Sequence, residues 1–213
     1  MALTGRFITF EGGEGAGKST QVARLVERLR ARGLESVATR EPGGTPNAEA
    51  LRKVLLEGLA EKLSPASEAL IFSAARIDHL DKLIRPALAR GAYVVCDRFA
   101  DSTRAYQGGA LGEAFIEGLE KLAVGSTLPD LTFILDLPAE EGLARADARR
   151  GSGKADRFES EAIGFHRALR QAFRTIAEKN PHRCVLIDAS RTVDDIADEI
   201  WRITNQRLFG GKA

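Results

Sequence analysis

Sulfur, tryptophan and histidine are scarce in this chain: among 213 residues stand two cysteines, one methionine, one tryptophan and three histidines. Two cysteines cannot build a four-thiolate metal site. Cys96 and Cys184 both sit inside apolar runs ("AYVVC", "RCVLI"), where buried thiols are expected in place of a disulfide or a metal pair. An excess of charge is missing too. Thirty-one Lys and Arg against 30 Asp and Glu leave a net charge of +1, so no overall field draws the chain to nucleic acid or an anionic membrane. Any anion site must be local. No apolar stretch approaches ~18 residues, so no helical membrane span is expected. The opening "MALTGRFITFEG" has neither an apolar signal core nor a cleavage site, and the cytoplasm is the expected compartment. Repeats and low-complexity segments are likewise wanting. With 44% hydrophobic and 29% charged residues, a globular protein with a real core is expected, as one domain over residues 1–213.

What is present begins with glycine. "GGEGAGKSTQ" (residues 12–21) sets Gly12, Gly13, Gly15, Ala16 and Gly17 before Lys18, Ser19 and Thr20. Gly12, Gly17, Lys18 and Ser19 fit G-x-x-x-x-G-K-[ST], whose bare backbone cradles phosphates. The apolar run "RFITFE" precedes the loop and a helical pattern (Val22, Leu25, Val26, Leu29) follows it, the context such a loop requires. Lys18 is expected on the β/γ-phosphate oxygens of ATP or GTP and Ser19 on Mg²⁺. Glu14 is the anomaly, because a carboxylate beside phosphates should repel them.

Further short apolar runs, "ESVATR", "AYVVCD", "LTFILDL" and "CVLIDA", alternate with helical patterns. That order predicts an α/β fold, a five-stranded parallel sheet flanked by helices. Strand ends form the ligand crevice of such sheets. Asp97 and Arg98 end one strand, suited to orienting Mg²⁺ waters and gripping phosphate, although Asp-Arg alone also fits a surface ion pair. "TREPGGT" ends another, with Arg40 and Glu41 expected to face the other loops and Pro42 to begin a tight turn. Phe72 and Arg76 are four apart on a helical pattern, a ring and a five-donor fork suited to a nucleobase. That helix, about 66–90, is expected to kink near Pro86, its broad apolar surface fitting either the core or a subunit contact. "RRGSGKADR" (149–157) is the basic, glycine-bearing stretch with the composition of a flexible segment. His79, His166 and His182 lie on helical or loop patterns away from the strand tips, so no general-base histidine is evident.

In order, "FEGGEGAGKST", "TREPGGT", "FSAAR", "DRFADSTRAYQGG", "PDLTFILDLP" and "DRFE" resemble the successive motifs of the bacterial thymidylate kinases, from residue 10 to about 159. The resemblance implies the P-loop nucleoside monophosphate kinase fold with a mobile lid at about 149–157, and transfer of the ATP γ-phosphoryl to dTMP. It also implies Mg²⁺ with ATP and a homodimer through the 66–90 helix. It places Glu14 on the acceptor's 3′-hydroxyl, Phe72 on thymine, Arg76 on its O4 and Thr103 near N3. Tyr106 and Gln107 would crowd the 2′ side, Arg40 and Arg98 would hold the acceptor phosphate, and Pro42 and Ser102 would complete the acceptor pocket. The phosphate loop carries no arginine while the lid carries several, which resembles the lid-arginine type. Lys18, Asp97, Arg98, Arg149 and Arg150 are then the expected catalytic set, with Ser19 and Asp97 toward the metal. "DRF" departs from the family's Asp-Arg-Tyr or Asp-Arg-His, so Phe99 offers no hydrogen bond there. A nucleotide-dependent switch, the rival class, would leave Phe72, Arg76 and the arginine-rich segment without a purpose.

Overall fold

The structure is a computed structural model and describes residues 5–56, 63–151 and 157–210. Strand β1 (Arg6–Gly12) is buried from Phe7 onward, because neighbours flank it on both edges and helices cover both faces. Side chains alternate along a strand. Ile8 and Phe10 therefore meet Leu25 and Leu29 of helix α1 (Lys18–Ala31) in one core cluster. Phe7 points the other way, into a second cluster with Leu80, Ile84 and Phe99. Each fully buried apolar side chain of this size contributes about 1.5–3 kcal/mol, so the central strand is anchored from both sides.

After α1 come β2 (Ser36–Arg40), helix α2 (Pro46–Leu56) and helix α3 (Pro65–His79), the last capped by the Ser64 side chain, which accepts from the Ser67 amide. A π-helical turn (Leu80–Ile84) leads into α4 (Arg85–Ala89). The distortion expected near Pro86 is thus a widened turn just ahead of it. Proline donates no backbone hydrogen bond, and a π turn resets the ladder where one is missing. The chain continues through β3 (Tyr93–Asp97), α5 (Ala100–Leu111), α6 (Glu113–Ala123), β4 (Leu131–Asp136), α7 (Ala139–Arg150), α8 (Ile163–Lys179), β5 (Cys184–Asp188) and α9 (Val193–Leu208).

The strands lie in the order β2-β3-β1-β4-β5, and every pairing is parallel. This is the sheet expected from the apolar runs. Because all strands run the same way, Arg40, Gly12 and Asp97 end at one edge: Arg40 is in register with Asp97, and Asp97 with Phe10. From β1 the chain crosses past β3 to β2, and from β3 it crosses past β1 to β4, so neighbouring strands send their connections opposite ways and a crevice opens between β1 and β3. Both cysteines are buried and unbridged. Of the expected lid, residues 152–156, Lys154 among them, lie outside the described residues.

Candidate active site

The loop after β1 owes its shape to glycine. Gly12, Gly15 and Gly17 have φ of 136°, 67° and 90°, values a side chain resists. A Cβ on Gly15 would lie within 1.9 Å of the Gly142 carbonyl oxygen, and one on Gly142 within 2.4 Å of the Glu14 carbonyl. Two bare residues therefore let the first turn of α7 rest directly on the loop. Gly17 caps α1 with no side-chain bond, so the first helical N–H groups stay open for an anion. Lys18 arches over the loop, donating to the carbonyls of Gly12 (3.2 Å) and Gly13 (2.7 Å). Burial and the Arg98 charge lower its pKa to about 8, against the pull of Glu14, Asp97 and Glu11.

At the tip of β3, Asp97 accepts from the Ser19 hydroxyl at 2.5 Å. A magnesium ion arriving with a nucleotide takes most of its oxygens from phosphate and water. One hydroxyl and one carboxylate at the mouth of the phosphate loop fit that requirement.

Among the described residues, Arg98 is the non-glycine residue with positive φ, 69°. Its amide donates to the Phe10 carbonyl (2.8 Å), which swings the side chain across the crevice. The guanidinium donates to Glu14 Oε1 (2.6 Å) and the Gly12 carbonyl (3.2 Å), and stacks 5.2 Å from the Tyr106 ring. Tyr106 donates its hydroxyl to the same Glu14 oxygen (2.7 Å). Burial alone would raise Glu14, but Arg98, Lys18 and the Tyr106 bond outweigh it and hold the carboxyl at about 2. Glu14 thus leans away from the phosphate cradle, toward α5. Beneath this cluster lies a residue the sequence reading missed. Glu11, wholly buried in β1, accepts from the Phe99 amide (2.8 Å) and the Ser102 hydroxyl (2.6 Å). Burial and the nearby Asp101 push its pKa to about 8 despite bonds from Ser102 and Phe99 and the Arg98 charge. An acid inside an otherwise apolar strand ("FITFEG") was the available signal.

The other half of the crevice is built on α3 and α5. Arg76 is 4% exposed and donates to Glu41 (2.7 Å), to the Thr103 hydroxyl (3.1 Å from two nitrogens) and to the Phe99 carbonyl (3.0 Å). These take four of a guanidinium's five N–H donors and fix its plane. Arg40 and Glu41 both line the cleft. Glu41 also turns inward to Arg76 and to the fully buried His79 (3.1 Å), which also meets Thr39 (2.7 Å). Thr103, expected against a base, is already engaged by Arg76. Arg40 is mostly exposed and pairs with Glu49 at 3.2 Å, so it points along the surface as well as the cleft. Arg52 of α2, absent from the sequence reading, lines the cleft and donates to the Pro42 carbonyl (2.8 Å).

Arg149 and Arg150 end α7. Arg149 remains 65% exposed and meets Glu159 at 3.5 Å; Arg150 is held by Glu159 (2.6 Å) and Asp147. A single cavity of about 370 Å³ runs from Lys18, Ser19 and Thr20 past Asp97, Arg98 and Ser102 to Phe72, Arg76 and Gln107, with Arg149 on its wall. Arg150, Gly12 and Gly13 are not on that wall, and Ala16 packs into the core. The expected site residues otherwise come together around one cleft from six elements, α1, β2, α3, β3, α5 and α7, and from the loops after β1, β2 and β3.

Comparison with known proteins gives a consistent result. The family model described as "Thymidylate kinase" matches residues 10–200. The chain is 57% identical over 211 residues to a thymidylate kinase of Rhodopseudomonas palustris, covering 98% of this chain and 92% of that one. It is 53% identical over 207 residues to one from Bradyrhizobium diazoefficiens, covering 96% and 91%. The crystal structure of thymidylate kinase from Ehrlichia chaffeensis superposes with a TM-score of 0.75 at 35% identity, covering 94% of this chain and 98% of that one.

Proposed function

The chain belongs to the thymidylate kinase family, and on that premise we propose that its cleft aligns ATP with dTMP and transfers the γ-phosphoryl group, giving ADP and dTDP. The observation that carries this reading is the continuity of the cavity. A phosphate cradle and a pocket for a planar base share one cleft, with Arg98 and Glu14 at the junction. The residues that share the cleft come from one sheet and its covering helices, which supports a single kinase domain. We also propose a homodimer through the α3–α4 helix.

The acceptor phosphate needs no general base, since its second pKa is about 6 and it is largely dianionic at neutral pH. One of its oxygens attacks the γ-phosphorus in line; the bond to the bridging β–γ oxygen breaks, and ADP leaves with the electron pair. The protein's task is alignment and cancellation of charge. The loop amides and Lys18 receive the ATP phosphates. Ser19 and Asp97 would hold magnesium, which on binding neutralises phosphate charge. Arg98 and Arg40 grip the acceptor phosphate, with Arg52 lining the same cleft, and Arg149 reaches the transferring group. Phe72 stacks on thymine while Arg76, its plane set by Glu41 and Thr103, directs its remaining N–H toward O4.

Glu14 is then no contradiction. Arg98 and Tyr106 hold it ionised and turned to the acceptor side, where its second oxygen can accept from the sugar 3′-hydroxyl. The ring of Tyr106 closes the space a 2′-hydroxyl would need. Coupled-assay kcat/KM values should therefore fall from dTMP to dUMP to UMP. Losing one methyl contact is worth only about 1–3 kcal/mol, so dUMP should be slow and not inert. Equal values for the three, or a purine monophosphate ahead, would overturn the assignment.

A further inference from the structure

We infer that His79 is a positioning residue for selection of the acceptor base: through Glu41 it fixes the plane of Arg76, which then donates to O4 of the base and turns away an amino group in that place. The inference rests on the acceptor site proposed above and gives a role to a buried histidine that the mechanism so far leaves idle. His79 lies three residues after Arg76 on α3, one turn along the same face. Both side chains reach one acid on the loop after β2. Arg76 meets it through a single nitrogen, Nε, at Oε2 (2.7 Å), and His79 Nδ1 stands 3.1 Å from the other oxygen. One contact leaves a carboxylate free to turn about its last bond. Two contacts, one to each oxygen, do not.

Glu41, paired with a guanidinium, only accepts hydrogen bonds. Nδ1 of His79 is therefore the donor, and Nε2 faces the Thr39 hydroxyl at 2.7 Å. His79 is fully buried, and Glu41 and Arg76 are at most 6% exposed, so solvent does not compete for these bonds. The loop is shaped to the ring as well. A Cβ on Gly44 would lie 2.5 Å from His79 Nε2 and 2.7 Å from Thr39 Oγ1. Within "TREPGGT", Arg40, Glu41 and Pro42 line the cleft, while Thr39, Glu41 and Gly44 close around His79. Glu41 is common to both sets. Packing alone would not call for a nitrogen at that point, since an apolar side chain fills the same space.

The test compares wild type with His79→Asn and His79→Gln on dTMP and dCMP. An asparagine amide stands where Nδ1 stands in histidine and keeps the bond to Glu41; a glutamine amide stands where Nε2 stands and keeps only the Thr39 side. The dTMP-over-dCMP ratio of kcat/KM should fall roughly tenfold or more in the glutamine variant and stay within about threefold of wild type in the asparagine variant. The ATP KM should stay within about twofold in both, because the base pocket contributes binding to the acceptor alone. An unchanged ratio in the glutamine variant, folded by circular dichroism, overturns the inference. So does a fall in the asparagine variant as large or larger, which would make His79 a filler of space. Should either variant not fold, nitrogen NMR of the wild-type imidazole decides: a proton on Nδ1 supports the positioning bond, and a bare Nδ1 overturns it. A wild-type enzyme preferring another monophosphate counts against the functional reading instead, and the same two variants with that nucleotide then judge His79.

Discussion

At the scale of single residues, Arg98 shows where the protein accepts strain. A non-glycine residue at positive φ costs about 1–3 kcal/mol, and here the Phe10 carbonyl and Glu14 hold it in place. The gain is a guanidinium at a strand tip, yet one whose charge Glu14 already offsets. Lys18 is likewise committed to the loop carbonyls. The charge that gathers between ATP and the acceptor phosphate needs a further cation, and the two arginines ending α7 differ in their freedom to supply it. Arg150 is 21% exposed and doubly paired; Arg149 is 65% exposed, loosely paired at 3.5 Å, and borders the cleft. Arg149→Ala should lower kcat by at least ~10²-fold, as for a lost transition-state donor, with little change in either KM. Arg150→Ala is the control for loss of nearby charge. Steady-state kinetics settle it: near wild-type kcat in Arg149→Ala refutes the assignment, and a large loss in Arg150→Ala alone moves the role one residue along.

At the scale of elements, β1 carries more than the phosphate loop. Through Glu11 it also grips the first turn of α5, tying the nucleotide side of the cleft to the acceptor side. The Glu11 pKa rises from about 4.5 to about 8 on folding. The folded chain therefore keeps a proton that the unfolded chain releases between those values. This contribution to stability is full below about pH 4.5 and is lost as pH rises through about 8. Nucleotide-free protein should melt several degrees lower at pH 8 than at pH 5, and Glu11→Gln should flatten that difference. Thermal melts at the two pH values check it; parallel pH dependence in both proteins would mean that Glu11 is ionised throughout. Much of this element plan was legible. Strands buried on both faces read as "AYVVCD" and "LTFILDL", and Gly12, Gly17 and Lys18 identify their loop by chemistry. Where side chains turn at the strand ends was harder. Strand alternation should have set Arg40 and Glu41 on opposite faces, and the structure does so in their partners: Arg40 to Glu49 outside, Glu41 to Arg76 and His79 inside. The π turn at Leu80–Ile84 follows no hydrophobic period, and Arg52 stands in a helix with no motif around it. His79 read only as a histidine away from the strand tips, and the acid it meets lies on another element.

At the scale of the whole molecule, the open question is what covers the apolar surface left on two neighbouring helices. Leu70 and Ile77 stand on α3, 52% and 37% exposed; Phe115 and Leu122 stand on α6, 42% and 77% exposed. Each pair is spaced seven residues apart, two helical turns, so each forms a stripe along one face, and α3 packs against α6. Leu80 and Ile84, farther along the same helical run, are fully buried in this chain. The helix therefore serves the core with one part and leaves another open, as the dimer proposed above requires. In a twofold dimer each residue of the interface appears twice, so Ile77→Glu would bring two carboxylates into one apolar contact. Within the isolated chain the same glutamate keeps its charge in water, because Ile77 is already over a third exposed. Sedimentation velocity should thus show dimer for wild type and monomer for Ile77→Glu, with unchanged circular dichroism. An unfolded variant would place Ile77 in the core, and a wild-type monomer at micromolar concentration would end the dimer reading.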